Sequence, residues 1–180
     1  MMNDESMNHI QRTSRRYRLL FEILIVAVPT FDLLYWISFN HLPKGLLTDL
    51  PVAPTQDLSF LALAVAFLAS LLPIGLAVYG LVTLRALFKL YEKAIIFSAQ
   101  NVRYFRRLGY LFIAWVVANA LFTPLISIVI TYANPPGERS VVAELGFSDI
   151  SIIVIGGIIL LISWVMDEGR KLEDEQAHTV

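Results

Sequence analysis

Cysteine is absent from the 180 residues, so neither a disulfide nor a thiolate metal site is available. Histidine is scarce: His9, His41 and His178 fall in three separate segments, and no two have the spacing of a metal-ligand pair. The nine glycines are scattered, and none opens a phosphate-cradling loop. Charge is thin as well. Only 16% of residues are charged and 57% are hydrophobic, whereas soluble domains carry about 25% charge.

The scarcity of charge is concentrated in four blocks. Leu58 to Leu84, Leu108 to Tyr132 and Ile150 to Met166 carry no charged residue, and Leu19 to Phe39 carries only Glu22 and Asp32. A helix needs about 20 apolar residues to cross roughly 30 Å of hydrocarbon. The first three blocks in chain order reach that length, and the fourth reaches it if its helix begins near Phe147. Buried helices of a water-soluble bundle would show polar faces at helical period, and the last three blocks have none. Arg12, Arg15, Arg16 and Arg18 before the first block imitate a signal peptide. The apolar run is too long for a signal core, however, and Ser38 and Asn40 offer no small-x-small cleavage pattern.

Basic residues then set the orientation. Of the fourteen Lys and Arg, only Lys44 and Arg139 lie in the first and third connections. The other twelve lie in the N-terminal arm, the middle connection and the tail, which predicts that these three face the cytoplasm. Asp49, Asp57, Glu138, Glu144 and Asp149 make the opposite side acidic, and Pro43, Pro51, Pro54, Pro135 and Pro136 suit irregular connections there. Tyr35, Trp36, Tyr132, Tyr110 and Trp164 fall where interfacial aromatic belts sit. The expected fold class is all-α: a polytopic integral membrane protein with four transmembrane helices, both termini cytoplasmic. It comprises a basic arm 1–18, spans at about 19–39, 58–84, 108–132 and 148–166, a basic loop 85–107 and an acidic tail 167–180. Its expected location is a membrane, with the three basic segments on the cytoplasmic side. His41 and the other two histidines then fall on opposite sides, so no Ser, His and acid grouping forms; no enzyme activity, cofactor, metal or direct nucleic-acid contact is expected.

The cytoplasmic face carries the most pattern. Arg85, Lys89 and Lys93 recur every four residues and continue the second helix past the membrane as one basic stripe. Ser98 is placed to cap a third helix that opens with Arg103, Arg106 and Arg107. These residues suffice to orient the chain and to touch anionic lipid. The tail offers Asp167, Glu168, Glu173, Asp174 and Glu175 on the same face, so tail and loop are expected to pair in a contact that a cytoplasmic partner could displace.

Two segments carry a family resemblance. IIFSAQNVRYFRRLG, from Ile95 to Gly109, is similar to the G-x-I-F-[ST]-x-x-N-x-x-x-[LF]-R-x-[IL]-G approach to the third span in the bacterial domain-of-unknown-function family numbered 2975. GGIILLISWVMDEGRKLEDEQAHTV, from Gly156 to Val180, resembles that family's last span and its G-x-x-L-x-E-E-x-x-L-T-V ending, through Gly169, Leu172, Asp174, Glu175, Thr179 and Val180. Ala94 stands where the pattern has Gly, and His178 where it has Leu. Members are often encoded beside a small helix-turn-helix regulator. The resemblance therefore implies a sensor or anchor that docks such a regulator through Arg85, Lys89, Lys93, Asn101, Arg103, Arg106, Arg107, Glu173, Asp174 and Glu175.

A different function class rests on polar residues within the spans. Asp32 and Asn119 fall about 19 and 16 Å from the inner edge at ~1.5 Å per residue, Ser70 lies at similar depth, and Thr123 joins them in the candidate site. A carboxylate in hydrocarbon costs about 2.5–3.5 kcal/mol on insertion scales, so Asp32 should face the bundle or a wet cavity. Such a layer would suit a small transporter, channel-like or immunity protein. The plainer alternative is an acid that reaches water or bonds Asn119 and holds the helices together. Ala62, Ala66 and Ser70 let a neighbouring helix approach closely, and Glu22, one turn after Arg18, can pair with it. Homo-oligomer formation is left open by the sequence.

Overall fold

The computed structural model describes residues 4–43, 50–52, 54–96, 98–132, 134–135 and 137–177, with side chains described between residues 7 and 172. Four helices make up the chain: α1 Asp4–Ser38, α2 Phe60–Glu92, α3 Ala99–Thr131 and α4 Phe147–Ala177, with a short 3-10 turn Phe39–His41 after α1. All four are long and apolar enough to cross a membrane. The fourth begins at Phe147, the position its apolar run required.

The helices outrun their uncharged cores. At about 1.5 Å per residue, α2 with 33 residues is roughly 50 Å long, well beyond about 30 Å of hydrocarbon. The surplus lies at the end where α1 begins, α2 turns into α3 and α4 finishes. That end is the basic end; the opposite one, holding the α1–α2 and α3–α4 connections, is the loop end. Most of the basic arm is thus the start of α1, and the basic loop is largely helix, with only residues 93–98 between α2 and α3.

Local chemistry fixes these limits. Ser59 and Ser98 cap α2 and α3, their hydroxyls accepting the backbone N–H of Ala62 at 3.2 Å and of Asn101 at 3.3 Å. Asp149, in the first turn of α4, accepts the N–H of Gly146 at 2.8 Å, the carboxylate half of a capping box. The end of α2 is a Schellman turn: Ile95 N–H reaches Leu90 C=O and Ala94 N–H reaches Tyr91 C=O, both at 3.0 Å. Its left-handed residue is Ala94, at φ 60°, where glycine carries no Cβ penalty. The resemblance sets glycine against this position, and a glycine here would be unstrained.

Each helix packs chiefly on its sequence neighbours, α1 on α2, α2 on α3 and α3 on α4. The α3–α4 crossing is backbone against backbone. A Cβ on Gly109 would lie 2.6 Å from Leu160 Cγ, and one on Gly156 would lie 2.9 Å from the Gly109 carbonyl oxygen, so only glycine permits this approach. A buried cluster sits in the loop-end half: Trp36 at the end of α1 and Phe39 just after it, Leu58 before α2 and Ala66 within it, and Ile126 and Ile130 of α3, while Leu87, Val102, Leu108 and Val116 are buried outside that cluster. Many large apolar side chains face outward, Ile23, Val26 and Phe31 on α1 and Val154, Leu161 and Val165 on α4 among them. An apolar surface of that extent needs hydrocarbon beside it.

Candidate functional site

The polar residues within the spans do not form one layer. Asp32 on α1 is held by α2: Ser70 Oγ lies 2.8 Å from Asp32 Oδ2 and accepts the indole N–H of Trp36 at 3.2 Å. The same hydroxyl is 2.7 Å from the Phe67 carbonyl, so its single proton serves one acceptor at a time. Ala66 is fully buried and Ser70 nearly so, which is the close approach their small size allows. Asn119 and Thr123 stand apart; among the described residues neither makes a side-chain hydrogen bond, and none joins them to Asp32. Asp32 therefore ties α1 to α2 without bonding Asn119.

Glu22 is also placed differently from its expected pairing with Arg18. Glu22 Oε1 accepts from Arg85 Nε at 2.9 Å, and Arg18 Nε lies 3.1 Å from Glu92 Oε2. Both pairs cross from α1 to α2, because antiparallel packing brings the end of α2 alongside the start of α1. Between them Phe88 packs on Tyr17 and Phe21, each with ring centroids 5.3 Å apart. These contacts clamp α1 onto the protruding part of α2.

The α2–α3 turn is fixed from within. Asn101 is fully buried, and its amide donates to the carbonyl oxygens of Ile95 and Ile96. The resemblance places it among the docking residues; its side chain is buried in the turn, drawn inward by the two carbonyls. Around it, Lys89, Lys93, Arg103 and Arg107 are exposed. Arg107 lies over the Tyr104 ring at 5.9 Å. Lys89, Lys93 and Arg103 have no ion pair among the described residues.

The tail does meet the basic segment at its root. Asp167 lies 3.6 Å from Arg106 on α3 and 3.5 Å from Arg170 on its own helix. Glu173, Asp174 and Glu175 belong to α4, but their side chains lie outside the described ones. Of the docking set, then, Arg85 is engaged with α1, Arg106 with α4, and the remaining exposed cations form the tip.

A further polar cluster lies at the loop end, outside the residues singled out from the sequence. Asn40 mimics a strand partner for Leu58, donating to its carbonyl at 2.9 Å and accepting its N–H at 3.0 Å. Ser127 accepts Val142 N–H at 3.0 Å, and Thr131 bonds Ser140 from both sides, accepting its N–H at 3.3 Å and donating to its carbonyl at 3.2 Å. Ser127 and Thr131, one helical turn apart, so pin the non-helical segment after α3 against that helix. Thr55 donates to Asn134 at 2.7 Å and joins the two connections. The available signal was the Ser–Thr pair at i, i+4 in an otherwise apolar helix end.

Among the described residues no cluster of His, Asp and Glu has the makings of a metal site. No curated protein and no solved structure matches the chain. A family model described as a protein of unknown function (DUF2975) does match, over residues 14–180. It takes in all four apolar helices and both segments quoted above, and the chain belongs to the DUF2975 family.

Proposed function

We propose that the protein is a non-enzymatic sensor or anchor in the bacterial cytoplasmic membrane. In this reading both termini and the basic end face the cytoplasm, where the tip of the α2–α3 hairpin docks an acidic surface of a partner protein. The partner class follows from the family resemblance: a small helix-turn-helix regulator. The observation that carries the reading is that the basic segment is not a slack loop. Two helices project roughly 12 Å past the uncharged segments at ~1.5 Å per residue, Asn101 fixes their turn, and Lys89 on α2, Lys93 in the turn and Arg103 on α3 stand exposed. A surface held this rigidly loses little conformational entropy on binding. The sidedness rests on the separation of twelve basic residues from two.

The transport reading has less support. Asp32 is occupied by Ser70, and Asn119 and Thr123 stand apart from it. A photo-crosslinking residue at position 93 tests the docking reading in cells. A discrete protein adduct is expected, lost in a Lys89→Glu, Arg103→Glu background and absent when the crosslinker is at position 144. No protein adduct at position 93, or one indifferent to charge reversal, would overturn it.

A further inference from the structure

At the loop end the turn after α1 and the approach to α2 frame a pocket of about 100 Å³, a few times a water's share of about 30 Å³. Phe39, Leu42 and Pro54 give it an apolar wall, and Asn40, Thr55 and Asp57 a polar one. The chain is pinned on both sides of Asp57. Asn40 bonds the backbone of Leu58 through both its amide and its carbonyl, and Thr55 is tied to Asn134 of the other connection at 2.7 Å. A pocket held by its own bonds loses little conformational entropy when it fills.

Those bonds also set what the pocket can receive. The hydroxyl proton of Thr55 is spent on Asn134, which leaves its oxygen as an acceptor. Asp57 is the one charged residue in the wall; it is exposed, and its carboxylate has neither a hydrogen bond nor an ion pair among the described residues. Arg139 is engaged elsewhere, with the Asn134 carbonyl at 3.1 Å and the Tyr132 ring. Acceptors that carry one negative charge call for a cationic donor. A bare metal ion fits poorly, since calcium takes about six to eight oxygen ligands and half of this wall is apolar. An ammonium on a short hydrocarbon body matches both walls. We propose that this pocket binds a small primary amine, with its ammonium at Asp57 and Thr55 and its body against Phe39, Leu42 and Pro54. Such an ammonium is carried either by a dissolved amine or by an ethanolamine phospholipid headgroup at the membrane boundary. The site requires neither the docking reading nor a given side of the membrane.

A 4-fluorophenylalanine at position 39 puts a fluorine NMR reporter in the pocket wall. The full chain in phosphatidylcholine nanodiscs is titrated with n-butylammonium chloride and, separately, with n-butanol as its neutral isostere, at constant ionic strength. A saturable shift is expected, with butylammonium binding about fivefold tighter, the upper end for one exposed ion pair. Asp57→Asn, at an exposed position without a partner among the described residues, should keep the fold and bring the two ligands level. Lys44→Gln, in the same connection, should leave the preference unchanged. Adding phosphatidylethanolamine to the nanodisc separates the two sources. A headgroup site predicts that the butylammonium shift is blocked, a dissolved-amine site that it is untouched, and either result supports the pocket. No saturable shift, equal midpoints for the two ligands before Asp57 is changed, a preference that survives Asp57→Asn, or the same shift with potassium chloride would overturn the proposal. So would a response seen only in Lys44→Gln, because the chain's own ammonium would then be the occupant.

Discussion

The two ends of the molecule solve the same problem by opposite means. At the loop end the backbone is irregular, so its polar groups need partners, and Asn40, Ser127, Thr131 and Asn134 supply them. A stacked Trp36–Phe39 pair, with ring centroids 5.3 Å apart, and a buried core close over these bonds. At the basic end the backbone is helical almost throughout and satisfies itself. Side chains there are free to carry charge, and helices are joined by ion pairs, Arg85 with Glu22, Arg18 with Glu92 and Arg106 with Asp167. Neutral hydrogen bonds in a packed core resist displacement, whereas exposed ion pairs contribute only about 0–1 kcal/mol and weaken with salt. A loop end built for order and a basic end held by weaker contacts is the division of labour that the proposed docking role would need.

The sharpest way to break the comparison is at the crossing that both halves share. Gly109→Leu or Gly156→Leu should destabilise by about 3 kcal/mol or more, since a side chain would meet backbone and Leu160 with no room to shift. Gly157→Leu, where nothing lies within 4 Å, should leave thermal unfolding in detergent unchanged. Next comes the loop-end half: Ser70→Ala strips the indole N–H of Trp36 and Asp32 of their shared partner and should cost about 1–3 kcal/mol. Asp32→Asn, which keeps an acceptor for Ser70, should cost less, and an equal or larger loss would restore a special role to the carboxylate. Ala94→Gly should raise stability by about 0.5–1 kcal/mol, because it removes a Cβ from a left-handed position. Smallest of all, Arg85→Gln and Glu22→Gln should each shift stability by no more than about 1 kcal/mol, with a double-mutant coupling that fades as salt rises.

The spans were legible because uncharged runs of that length leave hydrocarbon as their only fitting solvent, and even the start of α4 at Phe147 followed from length. The spacing of Arg85, Lys89 and Lys93 pointed to a helix continuing past the uncharged run, and α2 continues to Glu92 with Lys93 as its cap. Partner identities were less legible, since they depend on the rotation of one helix against another. Glu22 had Arg18 within reach on its own helix, but antiparallel packing gave it Arg85. Asp32 had Asn119 at matching depth, but depth says nothing of azimuth, and Ser70 on the adjoining helix was the residue that met it. Asn101 sits in a basic, polar stretch that reads as surface; only the fold of the turn shows two carbonyls awaiting its amide.

The absence of cysteine makes the sidedness of the two ends directly measurable. Lys93→Cys and Glu144→Cys, each the sole thiol of its chain and each at an exposed position, can be treated in intact cells with a membrane-impermeant maleimide. A cytoplasmic basic end predicts labelling of Glu144→Cys at once and of Lys93→Cys only after lysis. Labelling of Lys93→Cys in intact cells, with Glu144→Cys protected, would put the docking tip outside the cell and contradict the account.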